Sequence, residues 1–449
     1  MSADNITSQT SPLTDDQRER ILRAVDAAFD RQVAFTQELI RHPSLRTAEK
    51  SAQDLLYGAM SARGFEMDRW DLDPAELAEH PGAGAVEVSY DGVCNVVGTY
   101  HPREQQAARE QQAAAQAQGR SLILNGHIDV VPEGPEDQWQ RSPWDAAVQD
   151  GWLYGRGSGD MKAGLVANLF AFDAVRAAGL EPQGRIHFES VVEEESTGNG
   201  SLSALMRGYT ADAVVIPEPE EDMLVRANVG VIWFRVRVAG QPTHPREMTS
   251  GFNAIDAAYF VLSELRTLEE RWNAQKSEHR YFEDLDHPIN LNVGKIQGGD
   301  WGSSVPAWCE LDLRCALYPG VTAEDAWQEL TDALARITHD ANGNPIEATA
   351  TKTGFFAEGY VLEEGSDAEA VLERTHRAVF GQELRSFTTP GYLDGRVFVQ
   401  YGDIPTLVYG PISRAIHGYD ECVDLESVKR ITKSIALFIA EWCGVADAQ

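Results

Sequence analysis

Five short segments of this sequence gather histidines and carboxylates at spacings suited to metal or acid–base chemistry. They are Asn125-Gly126-His127-Ile128-Asp129, Gly159-Asp160-Met161-Lys162, Glu193-Glu194-Glu195, Pro217-Glu218-Pro219 and Ile416-His417-Gly418. In an extended segment, residues two apart share a face, so His127 and Asp129 point together while Ile128 points the other way. A metal-bound histidine gives its second ring N–H to an acceptor, and Asp129 is well placed for that. A solvated turn is the plain alternative. Asp160 follows the run Gly155-Arg156-Gly157-Ser158-Gly159, which lacks the third glycine of a dinucleotide fingerprint. Alone, Asp160 reads more readily as a turn or helix cap than as a ligand. Three adjacent carboxylates at 193–195 repel one another, and either a cation or open solvent relieves them. Glu218 is held extended between two prolines, and His417 is one of eleven histidines. Neither is decisive by itself.

The set says more than its members. Two histidines and three or four carboxylates offer nitrogen and oxygen ligands for two divalent ions, with no thiolate. The sequence contains no GxSxG nucleophile elbow and no GxxxxGK[ST] phosphate loop.

Elements that could bring these residues together follow from periodicity. Each segment ends, or closely follows, a stretch that reads as a strand: Asn95–Thr99, Ser121–Asn125, Arg185–Val192, Ala213–Ile216 and Ile404–Tyr409. Helical spacing runs over 14–42, through the stretch after Gly164 up to Gly179, and over 424–443. Strands alternating with helices predict an α/β sheet whose ligands gather beyond the carboxyl ends of its strands. Near residue 229 the pattern changes to strand (231–238), helix (253–272), strand (290–297), strand (307–316) and helix (322–338), the order of a small α+β unit set into the chain. The Gln/Ala tract at 103–119 lacks a strong apolar face and reads as a surface excursion between two strands.

Composition bounds the rest. A chain of 449 residues predicts two domains. Its 70 acidic and 38 basic residues give a formal charge of -32, which repels phosphate backbones and anionic lipid. Nucleic-acid and membrane partners are therefore not expected. The five cysteines form no CxxC pair and are expected to be buried small residues, not a disulfide or zinc framework. The polar, acidic start lacks the apolar stretch of a signal peptide, so the cytoplasm is the expected compartment.

In order along the chain, the strings NGHIDVVP, GRGSGDMKAG, EEESTGNG, IPEPE and IHG resemble those of one family of metal hydrolases. It comprises the M20-type metallopeptidases: acetylornithine deacetylases, succinyl-diaminopimelate desuccinylases, aminoacylases and carboxypeptidase G-type enzymes. The resemblance spans roughly residues 20–443 and is closest to the acetylornithine deacetylase/succinyl-diaminopimelate desuccinylase branch. It implies an α/β protein with a discontinuous catalytic domain (1–228 and 347–449), whose mixed sheet is flanked by helices, and an inserted α+β lid/dimerisation domain (229–346) in a homodimer. His127, a bridging Asp160 and Glu218 would hold one divalent ion; Asp160, Glu195 and His417 would hold a second. Zinc is the expected metal, with cobalt or manganese as substitutes.

By the same resemblance, Glu194 is the general base and Asp129 orients His127. His244, in Gly240-Gln241-Pro242-Thr243-His244, reaches across the dimer to the reacting carbonyl, and Arg314 meets the substrate carboxylate. Two substrate-facing segments depart from the family pattern. Ser303 replaces a frequent asparagine, and Leu393 replaces a serine or threonine before Asp394-Gly395-Arg396. The implied activity removes an acetyl, formyl, succinyl or similar group from an N-acyl amino acid or small amide. A dipeptidase or carboxypeptidase is the alternative. A non-catalytic metal-binding scaffold has no need of a base such as Glu194 beside its ligands.

Overall fold

The computed structural model describes residues 13–102 and 119–448, so the Gln/Ala tract lies outside the described residues up to its last glycine. A mixed six-stranded sheet forms the larger unit, in the order Glu66–Asp71, Cys94–Tyr100, Ile186–Val191, Leu122–His127, Val214–Ile216, Thr406–Val408. The first three strands pair antiparallel and the last four parallel. Its central strands are buried along their whole length, as the near-continuous apolar runs require.

Helices cover this sheet. Asp15–Ile40 opens with a capping box at Thr14 and Gln17 and packs against Ala163–Ala177 and Leu425–Cys443. Ala163–Ala177 is buried almost all round, which explains its lack of a polar face. It stops where the sequence predicts, with Gly179 in the left-handed region at φ 73°. Gly164, in its first turn, has a different purpose. A Cβ there would lie 1.9 Å from the Pro217 carbonyl oxygen. Only glycine lets the loop carrying Glu218 rest on this helix.

A second, four-stranded antiparallel sheet runs Leu291–Gly298, Trp308–Leu317, Gly230–Ala239, Glu347–Ala357. Ile232, Phe234, Val236 and Val238 alternate into a separate apolar core with the helices Ala254–Asn273 and Ala323–Arg336. Trp233 and Arg235 occupy the opposite face. The edge strand Glu347–Ala357 pairs along Gly230–Ala239 and lies beyond residue 346, the end of the inserted unit that the family resemblance implies. Its Thr/Ala-rich start hides the strand from a reading of apolar periodicity.

A small antiparallel sheet joins Ser413–Arg414, Cys422–Asp424, Trp152–Tyr154 and Val148–Gln149. It sets the turn carrying His417 beside the segment carrying Asp160. All five cysteines are free and buried. No helix among the described residues is long and apolar enough to cross a membrane.

Gly164→Ala is expected to push the Pro217–Glu218 loop off the helix and cost roughly 1–3 kcal/mol as overpacking. Thermal denaturation checks this, and an unchanged midpoint would mean that the loop yields freely.

Candidate active site

Three neighbouring parallel strands deliver most of the site from their carboxyl ends. Leu122–His127 ends on His127, Ile186–Val191 leads into Glu193–Glu195, and Val214–Ile216 leads into Glu218. Asp160 comes from the segment before Ala163–Ala177, and His417 from the turn between Ser413–Arg414 and Cys422–Asp424.

The two oxygens of Asp160 face different histidines. His127 Nε2 lies 3.0 Å from Oδ1, and His417 Nε2 lies 3.3 Å from Oδ2. His127 Nε2 also lies 3.6 Å from Glu218 Oε1 and 3.9 Å from Glu194 Oε2, while His417 Nε2 is 3.1 Å from Glu195 Oε2. His127, Asp160 and Glu195 offer ligand atoms within 4.8 Å of one another. A carbonyl oxygen only accepts, so His127 Nδ1 donates to the Asp129 main-chain oxygen at 2.8 Å. In the neutral ring this turns the Nε2 lone pair toward the carboxylates, the orientation of a metal ligand.

Asp129 thus meets His127 closest through its main-chain oxygen, with carboxylate Oδ1 at 3.6 Å from the same nitrogen. The Asp129 carboxylate accepts the amides of Glu194 (3.3 Å) and Glu195 (3.1 Å). Glu193 turns away from the group, with its backbone at φ 65°. Its carboxylate is held by Arg46 at 2.6 and 2.8 Å, Tyr90 at 2.7 Å and Thr197 at 2.9 Å. Of the three consecutive glutamates, one is neutralised by an arginine and two are left in the cleft.

Electrostatics registers the crowding. Burial pushes the Glu194 carboxyl well above its usual range; His127 opposes this, and Asp394, Glu218 and Glu195 add to it. Burial likewise raises Glu218, with His127 opposing and Asp160, Glu220 and Glu195 adding. Burial alone would lower His417, but Glu195 and Asp160 outweigh it and push the ring up to about 11. Glu218 Oε1 is buried without a hydrogen-bond partner. An unpartnered oxygen among repelling carboxylates and two imidazoles fits a pair of divalent cations.

The site lines a cleft of about 760 Å³ whose far wall is the open face of the second sheet. Trp233, Arg235, Lys295, Asp312 and Arg314 stand on that wall, and Phe355 and Tyr392 add rings 4.2 Å apart. Asp312 pairs with Arg235 at 2.6 Å. Arg314 donates to the Pro390 carbonyl at 3.2 Å and has no ion pair among the described residues.

The remaining expected residues lie elsewhere. His244 is exposed outside the cleft of its own chain, where its Nδ1 accepts the Arg246 amide at 3.1 Å. Ser303 is exposed in the turn after Trp301 and does not line the cleft. Arg396 is fully buried behind the wall, where it donates to the Gly82 carbonyl at 2.7 Å and to Tyr392 and Tyr401 at 3.4 Å. It braces the wall and does not reach the cleft. Arg46 and Lys295, which do line it, carry no motif that sequence reading could have used.

Known proteins resemble the chain in sequence and in fold. The chain is 27% identical over 456 residues to the N-formyl-4-amino-5-aminomethyl-2-methylpyrimidine deformylase of Halalkalibacterium halodurans, covering 96% of this chain and 98% of that one. It is 29% identical over 413 residues to the succinyl-diaminopimelate desuccinylase of Acidovorax ebreus, covering 88% and 95%. Its fold is similar to that of a dipeptidase from Saccharomyces cerevisiae, with a TM-score of 0.74 at 13% identity over 96% and 99% of the two chains. A family model, peptidase family M20/M25/M40, matches residues 123–441. The chain belongs to this family and is a hydrolase of amide C–N bonds.

Proposed function

We propose that this chain is a two-ion amidohydrolase that removes a small acyl group from an N-acyl amino acid or a related amide. One observation carries the reading: Asp160 turns one oxygen to His127 and the other to His417, with Glu194 alongside. His127, Asp160 and Glu218 would hold one ion, and Asp160, Glu195 and His417 the other. The nitrogen and oxygen donors suit zinc, with cobalt or manganese as substitutes. The relatives' names, a deformylase and a desuccinylase, support a small acyl group.

When bound, two such ions supply Lewis acidity to the scissile carbonyl and make a water acidic enough to lose a proton. Glu194 takes that proton and returns it to the departing amine nitrogen, which leaves only when protonated. Asp129 fixes the backbone of Glu194 and Glu195, so base and ligand keep their separate directions. Arg314, a cleft guanidinium without a carboxylate partner among the described residues, would take the substrate carboxylate.

The second sheet is also the proposed dimer surface. Its edge strand Leu291–Gly298 is largely exposed, and Ile296, Trp301 and Tyr259 are 50%, 73% and 60% exposed on this unit. In this reading His244 serves the partner subunit's site and steadies the reacting carbonyl.

Purified protein should carry up to two divalent ions per chain, and chelation should abolish its turnover of N-formyl, N-acetyl or N-succinyl amino acids. Metal analysis finding none, with turnover unchanged after chelation, overturns the reading. Faster turnover of dipeptides than of every acyl substrate would make the enzyme a dipeptidase. Glu194→Gln should keep both ions and lose roughly 10²–10⁴-fold in rate, while Glu195→Gln should weaken metal binding. Near-normal turnover of a fully loaded Glu194→Gln protein would remove Glu194 from the role of base. Mixed Glu194→Gln and His244→Ala chains, each nearly inactive alone, should regain up to about a quarter of wild-type activity through one intact site per mixed dimer. No recovery despite confirmed subunit exchange would exclude action across the dimer.

A further inference from the structure

Arg156 and Glu421 form an ion pair at 2.5 Å, with side chains only 2% and 1% exposed. Neither is a candidate ligand. Yet each is bonded to the backbone of a segment that carries one. Glu421 Oε1 accepts the amides of Gly159 at 3.0 Å and Asp160 at 3.2 Å. Arg156 donates through one terminal nitrogen to the Gly418 carbonyl at 3.0 Å and the Pro132 carbonyl at 3.4 Å. Its guanidinium carbon also stands 5.2 Å from the centre of the Trp139 ring. A single buried pair thus touches the stretch after His127–Asp129, the backbone of Asp160 and the residue next to His417.

The His417 turn needs such a hold. Ala415, His417 and Asp420 have φ of 54°, 59° and 55°, in the left-handed region that side chains other than glycine's rarely enter. Conformations of this kind persist where surrounding contacts over-determine them. Within the turn, the Gly418 amide donates to the Ala415 carbonyl at 2.8 Å, and Arg156 grips the Gly418 carbonyl from outside. Glu421 meanwhile fixes the Asp160 amide.

We propose that the Arg156–Glu421 pair is a positioning device for the Asp160–Glu195–His417 half of the centre and sets the affinity of the ion held there. This inference rests on the two-ion reading. Asp160 is shared by both ions, but His127 and Glu218 are held mainly from other elements, so the first ion should depend on the pair less than the second.

Calorimetric titration of the metal-free full chain with zinc tests the proposal. Removing one partner would strand a buried charge, so the main variant is the double change Arg156→Met with Glu421→Gln, accompanied by the milder Arg156→Lys. The wild type should bind two ions in resolvable steps. In the folded double variant one step should weaken roughly 10–100-fold, and the other clearly less. Arg156→Lys, which keeps the charge but not the fork, should fall between. Arg226→Met with Glu369→Gln removes a different buried pair and should leave both steps unchanged. Two unchanged steps in the Arg156/Glu421 variants, or equal weakening of both, would overturn the proposal. So would equal weakening in the control pair. A wild type that binds no second ion overturns the two-ion reading instead, and that result is visible before any variant is compared.

Discussion

Mutual repulsion among buried carboxylates is the constraint on which this structure turns. Asp129, Glu194 and Glu218 are nearly out of water within one small volume, and Asp160 and Glu195 join them at its edge. A fold would not gather them without compensation, because a buried charge must be paired, hydrogen-bonded or neutralised. The compensation here is distributed. Backbone amides serve Asp129, imidazoles serve Asp160, and Arg46 removes Glu193 from the group. What remains uncompensated is the part that the proposed cations would meet.

The second sheet answers the same constraint from across the cleft. Although the chain carries a charge of -32, the wall facing the carboxylates presents Arg235, Lys295 and Arg314. Alternation explains how one strand serves two purposes: Phe234 and Val236 seal the unit's own core, while Trp233 and Arg235 look the other way. A substrate with an anionic end therefore meets acceptors on one side of the cleft and cations on the other.

Much of this was legible in the sequence, for physical reasons. Ligand chemistry admits few residue types, so the segments carrying histidines and carboxylates stood out as a set, and the family resemblance singled out His127, Asp160, Glu195, Glu218 and His417 among them. The long helices Asp15–Ile40 and Leu425–Cys443 were readable because their apolar stripes sustain a helical period. The edge strand Glu66–Asp71 was not, since EMDRWD is half-exposed and shows no alternation. Arg46, Arg156 and Glu421 escaped notice because their purpose lies in partners far along the chain. The converse failure is Arg396, whose sequence neighbourhood suggested substrate but whose donors are consumed by Gly82, Tyr392 and Tyr401.

The second sheet enters and leaves the larger unit at one place. Asn228 pairs with Tyr360, Val231 pairs with Ala357, and Gly230 and Gly359 approach so closely that a Cβ on either would strike the other's backbone. This narrow neck bears on how the chain assembles. The last strand of the large sheet, Thr406–Val408, must find Val214–Ile216 across everything between them. If the second sheet is still unformed, that closure constrains a long, floppy loop. Once it has folded, its own ends are already in register and the remaining loop is roughly a third as long. Assembly of the intervening unit first thus lowers the entropic cost of the final closure, and the glycines at the neck are where the two strands of that unit meet.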